Sequence, residues 1–195
     1  TTSGYSPIID SYVNEKSPNS NYGSSSELRV RSKNCPNPLE NERTFIQFDF
    51  HFPTGTVIHS AVLKLYMKDA PSEDRTYEAR RVLGTWKERD PGPGDGIDWN
   101  NQAPADSNII DSTTTGTTDN ICLSWDVTSD VQDFADGDYI NYGWRLNDSA
   151  ESDHIGFEAK FHSRESAEPA KRPVLEITFT PPQVSTAYPV INEVY

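Results

Sequence analysis

Apolar and polar residues alternate with a period of two over most of this chain. Thr44, Ile46, Phe48 and Phe50 alternate with Phe45, Gln47, Asp49 and His51. Ala61, Leu63, Leu65 and Met67 alternate with Val62, Lys64 and Tyr66, and Ile121, Leu123, Trp125 and Val127 with Cys122, Ser124 and Asp126. The pattern recurs in Ile140-Tyr142-Trp144-Leu146, in Ile155-Phe157-Ala159-Phe161 and in Leu175-Ile177-Phe179. Successive side chains of a strand point to opposite faces, so each run predicts a half-buried strand. Further strands near 8–13, 27–33 and 75–84 bring the total to about nine. The expected fold is all-β: two antiparallel sheets packed face to face as a sandwich. One short helix is expected after Thr128, which caps it, with Val131 and Phe134 as its apolar face and Asp136-Gly137 as its stop. His59 falls on the apolar phase of its strand and is expected to be packed.

Loops and a tail separate these strands. Asp90-Pro91-Gly92-Pro93-Gly94-Asp95-Gly96 excludes helix and central strand, and 112–119 is nearly all Thr, Ser and Gly. Pro181-Pro182 closes the last strand and 183–187 reads as a linker. Residues 188–195 are strand-like again and resemble the opening strand of a lamin-tail-type immunoglobulin-like domain. The expected division is one sandwich domain over 1–180, then a linker and the start of a following domain over 181–195. The chain opens on Thr1 without a signal peptide, and is expected to be a piece of a larger protein.

Charge changes the picture more than composition does. The hydrophobic fraction is only 34%, yet four Trp, nine Tyr and eight Phe supply enough aromatic area for a core. No apolar run approaches the roughly 20 residues of a membrane helix. The net charge of −13 repels phosphate, which argues against nucleic acid as a partner. Against this acidic background, Leu28-Arg29-Val30-Arg31-Ser32-Lys33 alternates apolar or small residues with cations. In a strand, Arg29, Arg31 and Lys33 point one way while Leu28 and Val30 point inward. Residues 16–43 carry +2 while 85–155 carry −12. A local cationic face on such a molecule reads either as a site for an anionic partner or as a solvated face that keeps a sheet edge soluble.

Other features carry less. Cys35 and Cys122 are either bridged or free, and their number suits no zinc site. Asn147-Asp148-Ser149 is a glycosylation sequon. Asp90, Asp95 and Asp98, and separately Asp133, Asp136 and Asp138, are candidate oxygen donors for a structural calcium ion, with no other cofactor expected. His51, His59, His154 and His162 lack metal-ligand spacing, and no nucleophile motif surrounds Ser163. Trp125 and Trp144 sit on apolar phases and belong to the core. Trp86 and Trp99 flank the long loop, and Tyr22, in a polar Asn-Tyr-Gly turn, is the better candidate for an exposed stacking ring.

The order of motifs points to a family. Asp10-Ser11-Tyr12-Val13 precedes Asn21-Tyr22-Gly23 and Leu28-Arg29-Val30, then Arg43-Thr44-Phe45-Ile46-Gln47-Phe48-Asp49. Trp86-Lys87-Glu88, Asp98-Trp99-Asn100, Trp125-Asp126-Val127-Thr128 and Asn141-Tyr142-Gly143-Trp144 follow, and Phe161-His162-Ser163-Arg164-Glu165 comes near the end. The series over about 5–180 resembles the DNRLRE-type domain, which is related to archaeal disaggregatase and surface proteins. The resemblance implies a β-sandwich of jelly-roll type in secreted or cell-surface multidomain proteins, and a non-catalytic module that binds polysaccharide, acidic polysaccharide included. It implies a ligand surface made of Lys16, Arg29, Arg31, Lys33 and Arg43, with Tyr142 as an aromatic partner and neighbouring domains of the same chain as further partners; Tyr22, read from its turn, is the second aromatic candidate. Asp90–Gly96 departs from the family pattern as an insertion. The alternatives are a structural spacer or adhesion domain and, behind both, a polysaccharide hydrolase or lyase.

Overall fold

A computed structural model describes residues 1–33, 40–89, 96–151 and 156–183. Eleven strands appear in chain order: β1 (Thr2–Tyr5), β2 (Pro7–Asn14), β3 (Glu27–Ser32), β4 (Glu42–Phe48), β5 (Val57–Asp69), β6 (Thr76–Arg81), β7 (Asp111–Thr114), β8 (Ile121–Asp126), β9 (Trp144–Asp148), β10 (Phe157–His162) and β11 (Val174–Thr180). The one α-helix, α1 (Thr128–Asp136), follows β8 directly. Neighbouring strands run in the order β1-β11-β5-β10-β3-β4-β9-β6-β7, with β2 on β4 and β8 on β5, and the pairings are antiparallel. The sheet curls over a continuous core, giving an all-β sandwich.

The alternating pattern explains that core. From β5, Ala61, Leu63, Leu65 and Met67 are fully buried, and β3, β10 and β11 contribute Leu28 and Val30, Ala159 and Phe161, and Leu175 and Ile177. Trp125 and Trp144 are fully buried as expected. Each satisfies its indole N–H, Trp125 to the Tyr77 carbonyl at 2.9 Å and Trp144 to Asp130 Oδ2 at 2.8 Å. A buried indole without a partner would forfeit much of the stability its burial brings. Asp130 is fully buried too, and also accepts two hydrogen bonds from the guanidinium of Arg81. The helix is thereby tied to β6 and β9.

β4 departs from the half-buried expectation because both of its faces are covered. Ile46 and Phe48 enter the main core, while Phe45 enters a second cluster with Val13, Val82, Ile97 and Ala103, edged by Trp86, Trp99 and Tyr142. The long segment after β6 roofs this second cluster, which is why that segment holds Ile97 and two tryptophans.

Four local expectations are corrected. β3 is interior, paired with β10 along its length and with β4 at Arg31, so its cations do not protect a sheet edge. His59 is exposed, with its Nε2 at 2.7 Å from Thr180 Oγ1. One step on β11, Thr178 to Phe179, spans two on β5, Ser60 to Ile58, so His59 is the extra residue of a bulge and the phase flips there. Ile140 is 68% exposed and Tyr142 lies outside β9, because Gly143 breaks the strand with φ +81°. A Cβ on Gly143 would lie 2.1 Å from the Ile46 carbonyl oxygen. Gly143→Ala is therefore expected to cost about 2 kcal/mol, read as a lower urea midpoint with unchanged slope. The helix itself forms as expected and ends at Gly137 in the left-handed region. Its N-cap is Val127 rather than Thr128, whose hydroxyl bonds Asp126 and receives the Ala61 N–H.

Candidate functional site

The residues of the cationic surface divide into two groups. Lys33, Arg31 and Arg29 share the outward face of β3, as the alternation requires, and Lys16 reaches the same region from the turn after β2. Three of these four converge on one carboxylate. Glu40 Oε1 lies 2.7 Å from Lys16 Nζ, and Glu40 Oε2 lies 2.9 Å from Lys33 Nζ and 3.0 Å from Arg31 Nη2. Arg31 also approaches Glu158 of β10 at 3.5 Å. Hydrogen bonds from Lys16 and Lys33 hold the Glu40 carboxyl down to about 2. Arg29 pairs with Glu27 at 3.3 Å and lies over the ring of Tyr12, 5.3 Å from its centroid. Tyr22 stacks on that same ring, centroids 4.2 Å apart and planes 18° apart, and is half-buried rather than free-standing.

Arg43 faces the other way. On β4 it neighbours Glu42, so it points to the opposite side of the strand, onto the second cluster. Its guanidinium forms a two-pronged pair with Glu151 at 2.6 and 2.7 Å, donates to Gln102 at 2.8 Å and sits 4.5 Å from the Trp99 ring centroid. Tyr142 lies at the edge of that cluster, its carbonyl accepting the Trp86 indole N–H at 3.0 Å. The structure thus brings Lys16, Arg31 and Lys33 together, places Arg29 and Tyr22 beside them, and puts Arg43 and Tyr142 on a separate face.

That second face holds two cations the sequence did not single out. Arg145 of β9 lies directly opposite Arg80 of β6 and beside Phe45. Arg80 pairs with Glu78 at 2.7 Å. Among the described residues the Arg145 guanidinium hydrogen-bonds Asn147, at 3.2 and 3.3 Å, and makes no ion pair. Burial, and then the Arg43 charge, bring its guanidinium down to about 10. The available signal was the polar phase Asn141-Gly143-Arg145, but its meeting with Arg80 and Arg43 is set by long-range pairing. Asn147 is only 5% exposed and bonded to Glu78, so the sequon is not presented to solvent.

Glu42 adds a titratable element. It is buried, accepts the Asn14 amide at 2.6 Å, and is pushed up to about 7 by burial and then by Glu158, against the opposing pull of Arg29 and Arg31. Between its ordinary 4.5 and about 7, the folded protein holds a proton that the unfolded chain has lost. Its contribution to stability is therefore whole below about 4.5 and lost as pH rises through about 7. Asp10, pushed up to about 8 mainly by burial, acts in the same direction. Glu42→Gln is expected to reduce the fall in melting temperature between about pH 5 and 8, followed by thermal melts across that range.

The remaining candidates settle elsewhere. Asp133 pairs with Arg81, and Asp136 accepts from Gln132 at 2.9 Å, so neither turns toward a common centre with Asp138. Asp98 accepts the N–H groups of Asn100 and Asn101 in a local turn. Ser163 is fully buried and donates to the Ser25 carbonyl, and buried His162 faces Ser166 at 2.8 Å, a structural use of both. Cys122 is a free, exposed thiol. Asp90, Asp95, His154, Cys35 and the strand-like tail of 188–195 lie outside the described residues.

The sandwich gathers cations, with aromatic rings beside them, on two separate faces. A family model described as carbohydrate-binding module family 96 matches residues 1–179. The chain belongs to that family of carbohydrate-binding modules, and a polysaccharide is the partner that follows. No curated protein matches the sequence.

Proposed function

We propose that this module binds an anionic polysaccharide, within a secreted or cell-surface protein that carries further domains. The observation that carries the reading is the convergence of Lys16, Arg31 and Lys33 on the single carboxylate of Glu40. Three cations around one carboxylate form the environment that a uronate carboxylate or a sulfate seeks, and they exceed the charge of Glu40. Next-nearest residues on a strand are about 6.6 Å apart, a spacing close to one sugar unit. An extended polymer along β3 would thus meet Lys33, Arg31 and Arg29 in turn, with the Tyr22 ring beside Arg29. Its anionic groups would exchange with Glu40 and Glu158 for the same cations. Binding of this kind is modest per contact and sensitive to salt. Its use is to raise the local concentration of polymer for a neighbouring domain.

Affinity electrophoresis tests the charge preference. Polyuronates and a sulfated glycosaminoglycan are expected to retard the protein at low salt and to release it at high salt, while a neutral glucan leaves it unretarded. Equal retention by the neutral glucan would overturn the anionic reading. Retention by no polymer would favour a spacer or adhesion role.

A further inference from the structure

Asp10, Glu88 and Glu165 come from distant parts of the chain: β2, the segment after β6, and the segment after β10. One carboxylate oxygen from each lies within 4.8 Å of those of the other two. One cation already stands among them. Arg164 pairs with both oxygens of Glu88, at 2.7 and 2.9 Å, and with Glu165 Oε1 at 2.8 Å. Three carboxyl groups thus share one arginine. Asp10 is 1% exposed. Its Oδ2 accepts the Arg164 backbone N–H at 2.8 Å, while its Oδ1 has no hydrogen-bond partner among the described residues. Glu165 Oε2 is likewise buried and without a hydrogen-bond partner among the described residues.

Two carboxyl oxygens without a partner are costly to bury. A single divalent cation between them would give both oxygens a partner. We propose that Asp10, Glu165 and Glu88 bind a divalent cation, and that the cation is calcium. The donors are all hard oxygens, with no nitrogen or sulfur that would favour zinc or copper. The surroundings are held in place independently of the ion. Glu88 Oε1 accepts the Asp10 N–H at 2.8 Å, and the Glu88 carbonyl accepts the Asn21 amide at 2.7 Å. Gly23 packs so closely that a Cβ there would meet the Glu88 carbonyl oxygen at 2.2 Å. The ion would pin the start of the long segment that carries Trp86 and Trp99 to β2 and to the end of β10. This site uses none of the cations of the two faces and goes beyond the polysaccharide reading.

The test uses the full chain stripped of metal by a chelator and titrated with calcium chloride alone, without polysaccharide. Calorimetry is expected to show one saturable site, and melting temperature is expected to rise with calcium and fall back with chelator. Asp10→Asn and Glu165→Gln are each expected to weaken calcium binding about tenfold or more. Glu165 stands at the rim, so its variant keeps the test open should Asp10→Asn fail to fold. No heat and no thermal shift up to about 10 mM calcium would overturn the proposal. So would unchanged affinity in the folded Glu165→Gln variant, or a higher melting temperature in Asp10→Asn without a calcium response, which would mark a proton shared between Asp10 and Glu165.

Discussion

Asp130→Ala is expected to destabilise the fold by about 3–5 kcal/mol. The substitution removes a fully buried carboxylate that Arg81 and the Trp144 indole share. Arg81 is itself 6% exposed and also pairs with Asp133, so it stays charged and retains only part of its compensation. The Trp144 N–H is left in the core without an acceptor. Both losses fall where α1, β6 and β9 meet, and where the Arg81 guanidinium stacks 3.8 Å from the Tyr139 ring centroid. Urea unfolding should show a much lower midpoint at unchanged slope. A loss below about 1 kcal/mol would mean that the network exchanges readily with water and is not the tie described above.

The second large effect concerns binding. Replacing Lys16, Arg31 and Lys33 together with Ala is expected to weaken binding of a polyuronate about a hundredfold at low salt, near 1 kcal/mol per cation. Glu40→Gln acts in the opposite sense. It removes the internal competitor for the same three cations while keeping the side-chain shape, so affinity should rise several-fold at low salt, with the gain shrinking as salt rises. Isothermal titration at two ionic strengths measures both. Binding unchanged in the triple variant would place the polymer elsewhere, with the Arg43-Arg145-Arg80 face the next candidate. A loss in Glu40→Gln equal to that of the triple variant would mean that Glu40 organises the cations rather than competing for them.

The fold was legible wherever one strand face is buried and the other wet. In β5, β8, β10 and β11 the alternation marks the inward residues, and the core tryptophans follow from it. β4 was harder, because its second face is covered by the long segment and Phe45 then reads as polar-phase. His59 and Ile140 were misplaced for a related reason: a bulge or a left-handed glycine shifts the phase by one residue, and apolar spacing alone does not record that shift. The site was legible only in part. Alternation placed Arg29, Arg31 and Lys33 on one face, but not their sharing of Glu40 with Lys16, which depends on β3 meeting the start of β4. The reversal of Arg43 relative to Glu42 was available from strand parity; its pairing with Glu151, more than a hundred residues away, was not. The Asp10-Glu88-Glu165 group, assembled from three segments, leaves no local motif at all, whereas from the acidic clusters that do look like motifs Asp133 pairs with Arg81 and Asp98 serves a local turn.

The most direct test of the central claim is an NMR titration of the labelled module with a defined oligouronate, following backbone amide shifts residue by residue. Binding at the Glu40-centred cations predicts the largest changes at Lys16, Tyr22, Arg29, Arg31, Lys33 and Glu40, which collapse when salt is raised. Shifts gathered instead around Tyr139 and Ile140, or around Arg145 and Trp99, with the β3 amides unmoved, would contradict it.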